Sequence, residues 1–122
     1  MAELNYAPSG DVRLELSNAS EAEISANLLI YSSRKATRLI NSYIEKAYPS
    51  QIPFTVSGDV PSLIESLAID LSVYFVKRSL HPGPAPLSDV IKQEYYDKSV
   101  KVLEEIRDNK LEIPELAGKQ VN

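Results

Sequence analysis

Apolar residues recur at helical spacing through most of this chain. Leu29, Ala36, Ile40, Tyr43, Ile44 and Ala47 return at intervals of three, four or seven, the period of one helix face. No Gly or Pro interrupts the run before Pro49, so a long helix is expected over about residues 21–47. Ser20-Glu21-Ala22-Glu23 reads as its capping box, with each side chain reaching the other's backbone amide. At 1.5 Å per residue such a helix is roughly 40 Å long, and Ser32-Ser33 is where it would break, both residues having modest helix propensity. A second stripe is broader: Leu63, Ile64, Leu67, Ala68, Leu71, Tyr74 and Phe75. It follows Pro61, a favourable first-turn residue, and ends at Lys77-Arg78, cations suited to a helix C-terminus. A third helix is expected from an N-cap at Ser88, burying Ile91, Tyr95, Val102, Leu103 and Ile106. It would stop at Asn109, placed for the left-handed C′ position.

The segments between these helices have other patterns. Val12, Leu14 and Leu16 alternate with Arg13 and Glu15, which fits a short strand, an extended arm or a helical turn. Residues 48–61 hold three Pro and one Gly, which exclude a helix, while Ile52, Phe54 and Val56 alternate like an extended strand. Phe54 then either plugs the end of its own bundle or meets a neighbouring subunit. Residues 79–87 form a Pro-rich linker. The tail from Leu111 to Asn122 is extended and partly apolar. The expected fold is mainly α: a small bundle of three to four helices with an extended loop and extended N- and C-terminal arms. One domain spans 1–122, with an N-terminal arm at 1–19, a helical core at 20–110 and a C-terminal arm at 111–122.

Composition narrows the chemistry more than the fold. The 122 residues carry 13 Lys+Arg, 17 Asp+Glu, one His and no Cys, a net charge of −4. The absence of Cys excludes disulfides, Cys-based zinc sites and thiol catalysis. The acidic balance is unlike that of a dedicated nucleic-acid binder. Charge is even along the chain, at −1, −1 and −2 for residues 1–48, 49–88 and 89–122. No apolar run is long enough to cross a bilayer. The first residues, Met1 to Asn5, lack the cationic and apolar regions of a secretory signal, so a cytosolic protein is expected. His81, the single imidazole, stands in the Pro-rich linker without a partner at ligand spacing. No glycine-rich phosphate loop, nucleophile elbow or metal motif is present. The expectation is no enzyme, with no catalytic, metal-binding or cofactor-binding residues and no cofactor.

A few polar and aromatic positions stand out nonetheless. Asp70, in the middle of the second helix, reads as an exposed flank or as the partner of Arg34 or Arg38. An inter-subunit ion pair is the alternative, and the Lys77-Arg78 pair could take part in one. Seven tyrosines are numerous for this length, and Tyr is enriched in interfaces. Tyr43, Tyr74 and Tyr95 fall on helical stripes and are expected in the core; Tyr31, Tyr48 and Tyr96 are expected at interfaces.

Taken in order, three groups of residues resemble a known family. They are Ile24…Leu28…Ala36-Thr37…Ile40-Asn41-Ser42-Tyr43-Ile44…Tyr48-Pro49…Ile52-Pro53, then Val60-Pro61-Ser62-Leu63-Ile64…Leu67-Ala68-Ile69-Asp70-Leu71-Ser72-Val73-Tyr74…Lys77-Arg78, then Glu94-Tyr95-Tyr96-Asp97-Lys98-Ser99…Leu103-Glu104-Glu105-Ile106…Asn109-Lys110-Leu111. Together they look like tailed-phage head–tail connector proteins, also called adaptor or head-completion proteins, over residues 20–112. Asn109 stands where family members often have Gly, the linker is richer in proline, and residues 1–19 do not match.

The resemblance implies a helical subunit of a homo-oligomeric ring of about twelve copies, a closed head-to-tail assembly. Its partners would be the portal protein and a stopper or tail-completion protein. DNA would pass through the channel without sequence-specific binding, which a mildly acidic lining suits. The location would be the virion neck, reached through the host cytoplasm and without a membrane. The tail would dock on the portal through Leu111, Ile113, Pro114, Leu116 and Val121. The loop carrying Ile52, Phe54 and Val56 would meet a neighbouring subunit or ring. The alternative is a small helical nucleic-acid-binding or regulatory adaptor, with Arg34, Lys35 and Arg38 on phosphates.

Overall fold

Pro8 opens the first helix. Its φ of −62° and ψ of 135° are extended, and its carbonyl accepts from the amides of Asp11 and Val12. Helix α1 runs Ser9–Glu15 in the computed structural model of the chain, which describes residues 4–16, 24–80 and 89–116. Of the three readings of this stretch, the helical one holds, and the strand and the extended arm are corrected. A strand needs a partner for its backbone groups, and none exists among the described residues. The helix pairs its own amides and sorts its side chains by a different period. Val12 is fully buried and Leu16, four residues on, is half-buried, whereas Leu14 points away and is 61% exposed.

Helix α2 spans Ala26–Ile44. Its start falls later than the periodicity implied: Ser25 is the N-cap, its hydroxyl accepting from the Leu28 amide at 3.1 Å. The capping box at Ser20–Glu23 lies outside the described residues. The helix does not break at Ser32-Ser33. Both serines are buried, and Ser33 Oγ donates to the Ala7 carbonyl at 2.9 Å. Thr37 Oγ1 donates to the Ser33 carbonyl and accepts from the Tyr6 amide at 3.0 Å. Asn41 Oδ1 accepts from the Tyr6 hydroxyl at 2.7 Å. Ser33, Thr37 and Asn41 thus form a polar line, one residue per turn, on which the chain just before α1 is seated.

Tyr6 joins a third segment to this pair. Its hydroxyl accepts from the buried Phe54 amide at 3.0 Å, and the two rings meet edge to face at 5.5 Å. Residues 4–16 are therefore part of the core rather than an arm; Tyr6, Ala7 and Val12 are all buried.

Helix α3, Ser62–Leu80, is the central element. It packs against α1, α2 and both halves of the last helical rod. That explains why six consecutive residues, Leu71 to Val76, are buried. A helix enclosed on most sides needs no polar face. The last rod begins with α4, Asp89–Ile91, passes through a π-helical turn, Lys92–Asp97, and continues as α5, Lys98–Arg107. The wide turn brings both Tyr95 and Tyr96 to half-burial. Tyr96 lies 4.9 Å from the Tyr74 ring and 6.4 Å from that of Phe75.

The rod ends as its sequence implied. Asn109 has φ 61°, its amide donates to the Ile106 carbonyl, and the Lys110 amide donates to the Glu105 carbonyl at 2.8 Å. This is the paired hydrogen bonding of a Schellman C-cap. The fold is mainly helical, a small bundle, with no strand among the described residues.

Candidate assembly surface

The end of the bundle where α2 gives way to α3 gathers most of the positions singled out in the sequence. After Ile44 the chain turns at once: the Tyr48 amide donates to the Ile44 carbonyl at 2.9 Å, and Ala47 and Tyr48 are buried. The connector then crosses the bundle end with a cis Ile52–Pro53 bond and a short 3-10 turn at Ser57–Asp59. The residues after the Asn109 cap return to this same end. The Ile113 amide donates to the Tyr48 hydroxyl at 2.9 Å. Residues Pro114–Leu116 form a 3-10 turn, and Glu115 Oε2 accepts from the Ser62 amide at 2.8 Å.

The Glu115–Ser62 contact has a simple cause. The first amides of a helix lack intrahelical acceptors and carry partial positive charge. A carboxylate satisfies both conditions, and the Ser62 amide hydrogen bond is the main reason the Glu115 carboxyl is held below its usual range. Beside this contact lies an open cleft of about 600 Å³ bordered by Ser50, Gln51, Thr55, Asp59, Ser62 and Glu115.

The loop and tail residues separate into inward and outward groups. In the loop, Phe54 is buried against Tyr6, Ile52 is half-buried, and Val56 is 56% exposed. Phe54 thus plugs its own bundle, and only Val56 presents its side chain outward. In the tail, Ile113 and Leu116 are buried, Leu111 is half-buried and Pro114 is exposed. Extended docking through Ile113 and Leu116 is corrected, since both side chains are already enclosed by the chain's own core. Burying them removes apolar surface from water with no partner required. Val121 lies outside the described residues.

The charged positions also find different neighbours. Asp70 is half-buried, and its charged neighbours are Glu15 of α1 and Lys98 of α5 rather than Arg34 or Arg38. Burial pushes its carboxyl up, Glu15 adds to this, and Lys98 opposes it. Burial and the same acidic residues raise the nearby Tyr95 phenol, with Glu94 contributing. Arg34, Lys35 and Arg38 are exposed on α2, and Lys35 Nζ sits 4.8 Å from the centre of the Phe75 ring. Lys77 is half-buried and Arg78 exposed. His81 lies outside the described residues.

The tyrosines redistribute as well. Tyr74 is in the core, as expected, and Tyr31 is 59% exposed. Tyr48 moves from interface to core, and Tyr43 and Tyr95 are only half-buried. The sequence reading overlooked Tyr6. Its signal was on the other partner: Ser33, Thr37 and Asn41 at a spacing of four make a polar line on an otherwise apolar face. Besides Val56 and Tyr31, the large apolar side chains left outward include Leu14, Ile30, Leu80 and Val90.

Among the described residues, no group of three or more His, Cys, Asp or Glu is placed to hold a metal ion. No described helix is long and apolar enough to cross a membrane. Comparison with known families matches residues 4–122 to the family described as Bacteriophage Mu, Gp36. The chain belongs to that family. It is therefore a phage protein, and the match takes in the N-terminal segment that the head–tail connector resemblance left out. No curated protein and no solved structure matches the chain.

Proposed function

We propose that this protein is a structural component of the virion neck: a ring-forming adaptor that joins the capsid portal to the stopper or tail and extends the DNA channel. The observation that carries the reading is membership of a phage family over nearly the whole chain, joined to the order of connector-like motifs along α2, α3 and the last rod. Three features of the fold support it. The helices form one core, so a subunit can be placed in a ring as a rigid unit. Leu14, Ile30, Tyr31, Val56, Leu80 and Val90 keep apolar surface outward, suited to burial against other chains. The net charge of −4 favours passage of DNA over retention, since phosphate affinity grows with the number of cations in contact.

In this reading the protein is no enzyme and carries no cofactor. Its partners are copies of itself, the portal and the next component toward the tail. Asp70, Lys77, Arg34, Arg38 and Arg78 would contribute to inter-subunit ion pairs, and Leu111 and Pro114 to portal docking beside the buried anchors Ile113 and Leu116. The test is to mix purified protein with purified portal and image the product. Rings seated on the portal support the reading. A compact dimer that ignores portal and binds duplex DNA with steep salt dependence supports the nucleic-acid adaptor instead.

A further inference from the structure

We propose that residues 111–116 are an exchangeable arm: in assembled copies the segment leaves its own body and takes the same seat on a neighbouring copy. This rests on the ring reading for the neighbour, but not for the seat, which is visible in the single chain. The seat is made by parts of the chain far from the arm in sequence. Ile113 reaches back to the Tyr48 hydroxyl and Glu115 to the Ser62 amide, and Ile113 and Leu116 are enclosed among core residues. Nothing in these contacts depends on the arm belonging to the same chain. A second copy's arm would make the same hydrogen bonds and bury the same side chains, which is the condition for exchange at low cost.

The connection to the body is built to permit this. Asp108, Asn109 and Lys110 are all exposed, so they hold the arm to α5 without anchoring it in the core. Asn109 occupies the left-handed region at φ 61°, where the chain changes direction by one residue's dihedral angles. Once copies are held side by side, a neighbour's seat is presented at high effective concentration. Exchange all the way around a closed ring would link each copy to the next through a buried apolar anchor and a carboxylate on a helix N-terminus. The occupant of the seat is therefore the same segment of a second copy.

The absence of native Cys makes the test direct. Ser62→Cys with Pro114→Cys in one chain keeps the Ser62 backbone donor, Glu115 and both apolar anchors. A short bifunctional thiol crosslinker is applied to the protein alone and to the assembled state, and products are separated under denaturing conditions. Particle size before crosslinking is measured in parallel, and circular dichroism confirms native helix content. A second pair, Ser50→Cys with Pro114→Cys, repeats the measurement from the other side of the cleft. Exchange predicts covalent multimers on assembly, with intrachain product dominant in dilute monomer. Rings that give only intrachain product overturn exchange and leave the ring reading standing. Covalent dimers or open chains without rings support exchange and overturn the ring reading. A protein that stays monomeric with purified portal present and gives only intrachain product overturns both.

Discussion

The Tyr6 hydroxyl is the junction of three segments, so removing that one oxygen tests how the N-terminal segment is held. Tyr6→Phe keeps the ring and its edge-to-face contact with Phe54. It deletes the donor to Asn41 Oδ1 and the acceptor for the Phe54 amide. The Phe54 amide is buried, and leaving such a group unpaired costs about 1–3 kcal/mol. The Asn41 contact is part-buried, where water can partly replace the lost donor, and adds about 0.5–1.5 kcal/mol. The sum is about 1.5–4.5 kcal/mol, a large part of the roughly 5–15 kcal/mol that holds a typical domain. For a chain of this size each kcal/mol moves Tm by about 3–5 °C, so a fall of about 5–22 °C is expected. Thermal and urea denaturation followed by circular dichroism measure it, with the urea slope unchanged. Hydrogen exchange adds a local reading, since the Phe54 amide should lose protection beyond the global change. A loss below about 0.5 kcal/mol, with the Phe54 amide as protected as before, would refute the docking of residues 4–16 on α2.

Three further outcomes follow from single groups. Asp70 has its carboxyl raised by burial, so its charge opposes folding at neutral pH; Asp70→Asn should raise Tm at pH 7, with the advantage disappearing as acid protonates the native residue. Glu115 is shifted the other way, so its contribution is present above the ordinary carboxylate range and lost as pH falls through its lowered value. Glu115→Gln should therefore speed exchange of the Ser62 amide at pH 7 and make little difference in strong acid. Ser32 Oγ is buried without a hydrogen-bond partner, so Ser32→Ala should stabilise the protein by about 1–2 kcal/mol in chemical denaturation, removing an unpaired hydroxyl and improving helix propensity.

The elements that could be read from sequence are those whose own residues decide them. Helix α3 and the last rod carry wide apolar stripes, and Asn109 tolerates the left-handed cap without help from elsewhere. The misread positions are settled by partners distant in sequence. Val12, Leu14 and Leu16 alternate, but a strand there would have had nothing to pair with. Ser32 and Ser33 have weak helix propensity, yet α2 passes through them because the second hydroxyl is spent on the Ala7 carbonyl. The tail looked extended because its apolar residues lack helical spacing; its hydrogen bonds go instead to Tyr48 and Ser62, 65 and 53 residues away. Tyr48 and Phe54 looked spare for the same reason, their partners being the tail and Tyr6. Which side chains remain outward at that end of the bundle thus depends on long-range contacts.

The central claim is that this phage protein works as a ring on the portal. Mass measurement and imaging of the purified protein, alone and with purified portal, test it most directly. The prediction is a closed ring of many copies seated coaxially on the portal, whether or not the protein is a monomer by itself. Failure to bind portal at any ratio, together with salt-sensitive binding of duplex DNA by a monomer or dimer, would contradict it.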